Sequence, residues 1–481
     1  MLIKSPLKSW LLCSVIAALP LLAATTTASH AQGACDIPSA WISNGIPDPK
    51  ILAENSKFNS LCDFHTWSWN AFLWSMEDTD GTPRFESFPT LEQVIDQSYT
   101  APNTAQGAVT LKLRPGKTDH PIDAIAQAGT SGILIAQNKR AVYYSQYVNP
   151  QMYDQIRDDN WFTAEGLQTE DPDATFDIGN IEFKAAWAIV DDSFTIPGAY
   201  TRQAMVPKVV TAKVNGVPTI QVPADPEFEP VQVALIGFHV VGWVNGHSEA
   251  IWASFSPRGL VPVVPQSDNG RPTIQPIDPV SGTGTPFYTA NTTLADCNQT
   301  QVPVQTVDEE TQLFGLATQA CQIFQSGSLL PGDKRNMAVL DIINSSAASV
   351  LPDGSLAKPY EEVGAIWTIS DFRAFCDSDT TDPKPTACSD KPLPTALQDS
   401  SQISGKLGNT FQTMLEGSTV LSNPVIETFT QTDIAQDNCF SCHNSLQYQP
   451  SVPTMQPLHA SMLNLSHILL KAYVNDLASG N

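Results

Sequence analysis

The sequence is poor in basic residues and has no long apolar run beyond its N-terminal region. It contains 25 lysine and arginine residues against 49 aspartate and glutamate residues, which gives a formal net charge of −24. An acidic surface repels polyanions, so we expect neither nucleic acid nor an anionic lipid surface as a partner. After residue 24, no stretch approaches the roughly 20 apolar residues of a membrane-spanning helix, and we expect no membrane span.

The sequence also lacks the common motifs of cofactor-driven and hydrolytic centres. It contains no G-x-G-x-x-G after a strand, no G-x-S-x-G, no H-E-x-x-H and no Walker motif. These motifs mark dinucleotide sites, serine nucleophiles, zinc peptidases and phosphate-binding loops. A catalytic centre of any of these kinds therefore has no support in the sequence.

Residues 1–31 have the pattern of a secretory signal peptide. Lys4 and Lys8 precede an apolar run over residues 10–24, and residues 29–31 form a small-x-small cleavage site. The residues before Cys35 lack the leucine of a good lipid-attachment motif, so we expect soluble export. In a bacterium, the destination would be the periplasm.

One short motif near the C-terminus points to specific chemistry. Residues 439–443 read Cys-Phe-Ser-Cys-His, which is the spacing that covalent attachment of a c-type haem requires. Cys439 and Cys442 can each add to one haem vinyl group, and His443 can bind the iron from the proximal side. The alternative is a disulfide followed by an unrelated histidine. The motif predicts one covalent haem c.

The other cysteines suit disulfide bonds in an oxidising compartment. Cys13 lies in the signal peptide and two cysteines belong to the haem motif, so six of the nine remain. Neighbours in sequence beside loop-like segments are the favoured partners, although other connectivities are possible. The predicted disulfides are Cys35–Cys62, Cys297–Cys321 and Cys376–Cys388.

The second axial ligand of the iron has several candidates. Met455 and Met462 follow the motif within reach of the porphyrin, and a water-bound iron is a further alternative. His239 would come from the large domain, either as a core histidine or as a haem-facing residue. Only residues 444–481 follow the motif, so we expect the haem to pack against the large domain. The full set of candidates is Met455, His459, Met462, His467 and His239.

Hydrophobic periodicity predicts an α+β fold. A large β-rich domain with flanking helices would span residues 32–420, and a small α-helical, cytochrome c-like segment would span residues 421–481. A helix over residues 63–76 is apolar all round and is predicted to be buried. Further helices are predicted over residues 302–325, 334–350, 424–436 and 463–477.

Predicted strands form most of the large domain. Residues 133–136 and 141–144 suggest one hairpin, residues 231–244 and 248–255 form another about the turn Asn245-Gly246, and residues 365–369 form a buried strand. In a strand over residues 181–189, Glu182 and Lys184 alternate with apolar residues, which predicts one buried and one charged face. His239 is in phase with Val233, Leu235, Val241 and Trp243, so its ring is predicted to enter the interior.

The chain resembles a family of exported bacterial cytochrome c family proteins that combine a large N-terminal domain with a C-terminal haem motif. The resemblance supports the predicted architecture and draws attention to His239, Asn70 and Glu182, but the family implies no defined activity. The matching segments are residues 67–73, 181–187, 235–241, 251–255, 426–429 and 465–472.

Two classes of function follow from a single haem. In the first, the protein is an electron carrier with two protein ligands on iron, and its acidic surface docks a basic redox partner. In the second, it is a haem enzyme of the peroxidase or oxygenase type, with an open distal site that faces the large domain. A haem-based sensor is a third alternative. The acidity is also explained by solubility alone.

Overall fold

An antiparallel sheet organises the fold, and its central strands are buried on both faces. A computed structural model describes residues 35–96, 109–110, 132–214, 216–223, 225–264, 284–299, 306–323, 333–368, 415–431, 439–441, 443 and 458–479. The predicted signal peptide, the predicted Cys376–Cys388 disulfide, Cys442 and Met455 lie outside these residues.

The main sheet has eight strands in the described part of the chain. The order β14-β13-β10-β9-β5-β4 is antiparallel throughout; β6 also pairs with β9, and β3 pairs with β6 in parallel. The strands of this sheet are β3 (Val109–Thr110), β4 (Val142–Val148), β5 (Ile181–Val190), β6 (Thr201–Pro207), β9 (Phe228–Val244), β10 (His247–Pro257), β13 (Tyr360–Thr368) and β14 (Leu415–Gly417).

Smaller hairpins and helices surround this sheet. The hairpin strands are β1 (Asp78–Thr79), β2 (Thr82–Pro83), β7 (Val210–Val214), β8 (Val217–Gln221), β11 (Val307–Asp308) and β12 (Leu313–Phe314). The α-helices are α1 (Ser39–Asn44), α2 (Pro49–Asn55), α3 (Leu61–Ser75), α4 (Leu91–Ile95), α5 (Pro150–Asp158), α6 (Ala164–Thr169), α7 (Asp333–Val350) and α8 (His467–Ser479). The prediction of a sheet-rich domain with flanking helices is confirmed.

Helix α3 is the buried helix that the sequence predicts. Ser60 caps it by accepting from the backbone of Asp63, whose carboxylate accepts from the backbone of Ser60 in return. Trp69 and Phe72 pack on Phe255 of β10, with the Phe72 and Phe255 rings stacked at 4.1 Å. We call the side of the sheet that α3 and α7 cover the α3 face. Its core explains why this helix is apolar all round.

The opposite side of the sheet, which we call the terminal face, is covered by residues 415–431 and 458–479. A side chain at Gly237 would press on Val425 and Ile426, and one at Gly364 would press on Ser418, so the covering chain lies directly on the strands. The prediction that β5 exposes a charged face is therefore wrong. Every residue of β5 is buried, and Glu182 and Lys184 lie beneath the covering chain.

A β-bulge changes the phase of β9. Ala186 pairs with Gly237 while Trp187 pairs with Leu235, so Ile236 is an extra residue in β9. His239 consequently shares the terminal face with Val241 and Trp243, whereas Val233 and Leu235 point to the α3 face. The predicted phase of His239 is right on one side of the bulge and wrong on the other.

Two predicted helices are absent from the described residues in which they were expected. Residues 306–323 form the β11–β12 hairpin and extended chain, and residues 424–431 form successive turns. The helix predicted over residues 463–477 begins later, at His467, after a 3-10 turn over Ser461–Leu465.

The disulfides Cys35–Cys62 and Cys297–Cys321 are both present, as predicted. Of the described helices, none is both long enough and apolar enough to cross a membrane. Residues from Cys35 onward group into a single unit by their contacts.

Candidate functional site

The haem motif begins in a short 3-10 turn on the terminal face. This turn spans Cys439–Ser441, and the backbone N–H of His443 donates to the carbonyl of Cys439 at 2.8 Å. Phe440 is fully buried and meets the ring of Trp252 from β10 at 6.0 Å, while Cys439 is partly buried. The turn therefore folds His443 back over the first cysteine and holds both against the sheet.

The ring of His443 is oriented by a backbone carbonyl. Its Nδ1 lies 2.9 Å from the carbonyl oxygen of Leu465. Because a carbonyl only accepts, Nδ1 carries the proton, and the lone pair of the neutral ring is on Nε2. Histidines that bind metals are typically held in this way by a second hydrogen bond. The tautomer that this bond implies is the one that an iron ligand needs.

Two aromatic rings enclose His443. The ring of Trp252 lies 4.4 Å away, and the ring of His467 stacks on His443 at 3.7 Å with an interplanar angle of 21°. His467 is itself buried at the start of α8. His467 thus packs face to face on His443.

An apolar cluster surrounds the motif and joins it to the sheet. Its members come from the C-terminal residues, from helices α4 to α6 and from strands β4, β9, β10 and β13. Those that lie in the C-terminal residues are Phe440, Leu458, Ala460, Met462, Leu463, Leu465, Ile468, Leu469, Leu470 and Tyr473. Met462 is 5% exposed and belongs to the same cluster as Phe440. The structure thus places this candidate ligand in the same apolar cluster as Phe440 of the motif.

Other candidate ligands have different surroundings. His459 is exposed, and its Nδ1 donates to the backbone carbonyl of Glu170 at 2.7 Å. His239 Nε2 lies 3.2 Å from Glu427 Oε2. Burial alone would raise the pKa of Glu427, but the charge and hydrogen bond of His239, together with the charge of Lys184, hold it below its usual value. His239 therefore faces the Glu427 carboxylate, and this contact joins residues 415–431 to β9.

The two charged residues of β5 also lie on the terminal face. Glu182 Oε2 accepts from the hydroxyl of Ser466 at 2.8 Å, one residue after the carbonyl that orients His443. The ammonium of Lys184 lies 5.7 Å from the ring centroid of Tyr144. Glu182 thus ties the turn before α8 to the sheet.

Sequence reasoning missed the residues that support His443. The hairpin about Asn245-Gly246 could have predicted that Trp252 lies on the same side of the sheet as His239. The register shift within the hairpin moves the pairing by two residues, so it does not change the side to which Trp252 points. No sequence signal identifies Leu465, because it acts through its backbone carbonyl. In the described part of the chain, no three His, Cys, Asp or Glu side chains gather as a site for a bare metal ion.

Comparisons with protein-family models, with curated proteins and with solved structures yield no match. The assignment of this site therefore depends on the chain's own residues and geometry.

Proposed function

We propose that the protein is a periplasmic, monohaem c-type cytochrome that transfers electrons. Cys439 and Cys442 would hold one haem c covalently, and His443 would be its proximal ligand. The observation that carries this proposal is the 2.9 Å hydrogen bond from His443 Nδ1 to the Leu465 carbonyl. It sets the tautomer and the direction of the ring in the one histidine that the motif assigns to iron.

When bound, haem c supplies a one-electron Fe(III)/Fe(II) couple. The chain's own residues would hold and shield it. Leu465 would fix the ring of His443, while Trp252 and Phe440 would exclude water from the side that faces the sheet. Met462 shares the buried apolar cluster of Phe440 and would be the described candidate tested first as a second ligand.

Burial favours an electron carrier over an open catalytic iron. Phe440, Leu463 and Ile468 are fully buried, so the motif lies in an apolar environment. Low exposure and low polarity raise the reduction potential of a haem and restrict access to its iron. The net charge of −24 suits a basic redox partner, which electrostatic attraction would steer to the acidic surface. The N-terminal signal pattern and the resemblance to exported cytochrome c family proteins support the periplasmic location.

Visible spectroscopy of protein matured with haem tests this proposal. We expect haem that survives denaturation, and sharp low-spin bands in the ferric and reduced states that carbon monoxide does not change. His443→Ala should abolish the low-spin spectrum. His459→Ala is a matched control, because that exposed ring bonds only a distant loop carbonyl in the described structure and should leave the spectrum unchanged.

Two results would overturn the proposal. Absence of covalent haem would refute the assignment of the motif. A high-spin ferric form that binds carbon monoxide would show an open iron, and it would favour a haem enzyme of the peroxidase or oxygenase type. Met462→Ala tests whether Met462 is the second iron ligand, because loss of an axial methionine should make the reduced iron bind carbon monoxide.

A further inference from the structure

Asn464 is a buried amide whose polar atoms have no partner in the described structure. Its side chain belongs to the 3-10 turn over Ser461–Leu465 and the residue is 2% exposed. Neither Oδ1 nor Nδ2 makes a hydrogen bond. Buried amide groups are almost always hydrogen-bonded, because water can no longer satisfy them. An amide with both ends unsatisfied is therefore a feature that needs an explanation.

Other buried amides in this protein show what a satisfied one looks like. Asn423 donates from Nδ2 to Ser254 and to the carbonyl of Phe255, and its Oδ1 accepts from the backbone of Val425. Asn344 bonds both backbone groups of Glu362. These amides are structural clasps between chain segments. Asn464 clasps no described segment, so its donor and acceptor serve something other than the fold.

The position of Asn464 indicates what that partner is. The next residue, Leu465, gives the carbonyl that orients His443, and Ser466 follows with its bond to Glu182. Asn464 thus directly precedes the residue whose carbonyl orients His443. On the proposed function, an amide beside the proximal ligand would reach the edge of the porphyrin. The polar groups on the edge of a haem are its two propionate carboxylates.

We propose that the Asn464 amide is a binding site for a haem propionate, with Nδ2–H donating to the carboxylate. This inference rests on the proposed function, since the carboxylate belongs to the haem that the motif would attach. A charge-assisted bond of this kind satisfies the orphaned donor and offsets part of the propionate's negative charge. Because that negative charge favours Fe(III), Asn464 would raise the reduction potential.

The test is the midpoint potential of the full-length haem protein with Asn464→Leu, which keeps the size and removes the amide. We expect the ratio of reduced to oxidised haem at a fixed potential to fall about tenfold, which is about 59 mV for one electron. The propionate bending mode in the resonance Raman spectrum should shift as well. Asn464→Ala is a second variant that removes the amide without adding bulk, and it should shift both quantities in the same direction.

Asn344→Leu is the matched control, because it removes a satisfied amide that clasps β13 instead. It should lower stability and leave both the potential and the propionate mode unchanged. Unchanged values in both Asn464 variants, with covalent haem present, would overturn the proposal for Asn464 alone. Absence of covalent haem in the wild-type protein would instead refute the proposed function on which it rests.

Discussion

His65→Leu should lower the free energy of unfolding by about 3–5 kcal/mol, because it breaks a fully buried polar network. His65 Nδ1 lies 2.9 Å from Glu362 Oε1, and Nε2 lies 2.7 Å from Asn336 Oδ1. The amide of Asn336 is oriented by its Nδ2, which donates to Ser418. With the Asn336 amide in this orientation, both partners of the ring are acceptors, which favours the doubly protonated, charged imidazole.

The magnitude follows from these two bonds. Because the imidazole is charged, each of the two bonds contributes about 1.5–3 kcal/mol. The substitution also leaves Glu362 buried with neither oxygen paired, since its Oε2 already has no partner in the described structure. The total agrees with the cost of removing one member of a buried ion pair.

Chemical denaturation of three variants measures the coupling. His65→Leu and Glu362→Leu should each be strongly destabilised. The double variant should lose only about 1–3 kcal/mol, chiefly for the orphaned carbonyl of Asn336, because no buried charge is left unpaired. Additive losses in the double variant would refute the reasoning, as the two side chains would then contribute independently.

The pH dependence has a defined sign. Burial lowers the pKa of His65, but the charge and hydrogen bond of Glu362 and the hydrogen bond of Asn336 outweigh it, so the pKa lies above 6.5. The folded state therefore binds this proton more tightly than the unfolded state. Its contribution is complete below pH 6.5 and is lost as the pH rises through the folded-state pKa. A pH profile of unfolding that is the same in wild-type and double-variant protein would contradict this.

Two further predictions concern stability. Replacing both cysteines of Cys35–Cys62 by serine should cost about 3–4 kcal/mol by loop-closure entropy, and an unchanged denaturation midpoint under oxidising conditions would show that the bond does not form. Gly242→Ala should cost about 1–3 kcal/mol because its Cβ would overlap the buried ring of Trp67, whereas Gly315→Ala, with open space around it, should be neutral in the same thermal melt. Equal melting temperatures for the two glycine variants would contradict the packing of α3 on β9.

The local sequence was sufficient to predict a segment's structure where its hydrophobic pattern agrees with its environment in the folded protein. Helix α3 carries its own capping box and an apolar surface all round, so its existence and burial were both predictable. The hairpin of β9 and β10 was predictable from its Asn-Gly turn. The two described disulfides join cysteines that are neighbours in the sequence, which is the pairing that the sequence favours. Each of these features depends on contacts that are short in sequence.

Prediction failed where distant contacts decide the structure. Residues 306–323 look helical, but the backbone of Thr318 bonds Ile135 and that of Cys321 bonds Asn298, which holds the chain extended. The bulge at Ile236 has no signal in the sequence. Because of it, Val233 and Leu235 point to the opposite side of the sheet from His239. Of the site, only the haem motif itself is visible in the sequence. Its supports are a backbone carbonyl and the face of a strand, which leave no motif.

The haem motif lies between two stretches of chain that are each fastened to the sheet. Before it, Asn423 bonds Ser254 and Glu427 pairs with His239. After it, Ser466 bonds Glu182, and a carboxylate oxygen of Asp476 in α8 accepts from the backbone of Ala164. Glu182 on β5, His239 on β9 and Ser254 on β10 therefore anchor both stretches to the terminal face. The bond to Ser466 explains why the carboxylate of Glu182 is buried there. On the proposed function, the sheet would form one wall of the haem site, with Trp252 against the ring of His443.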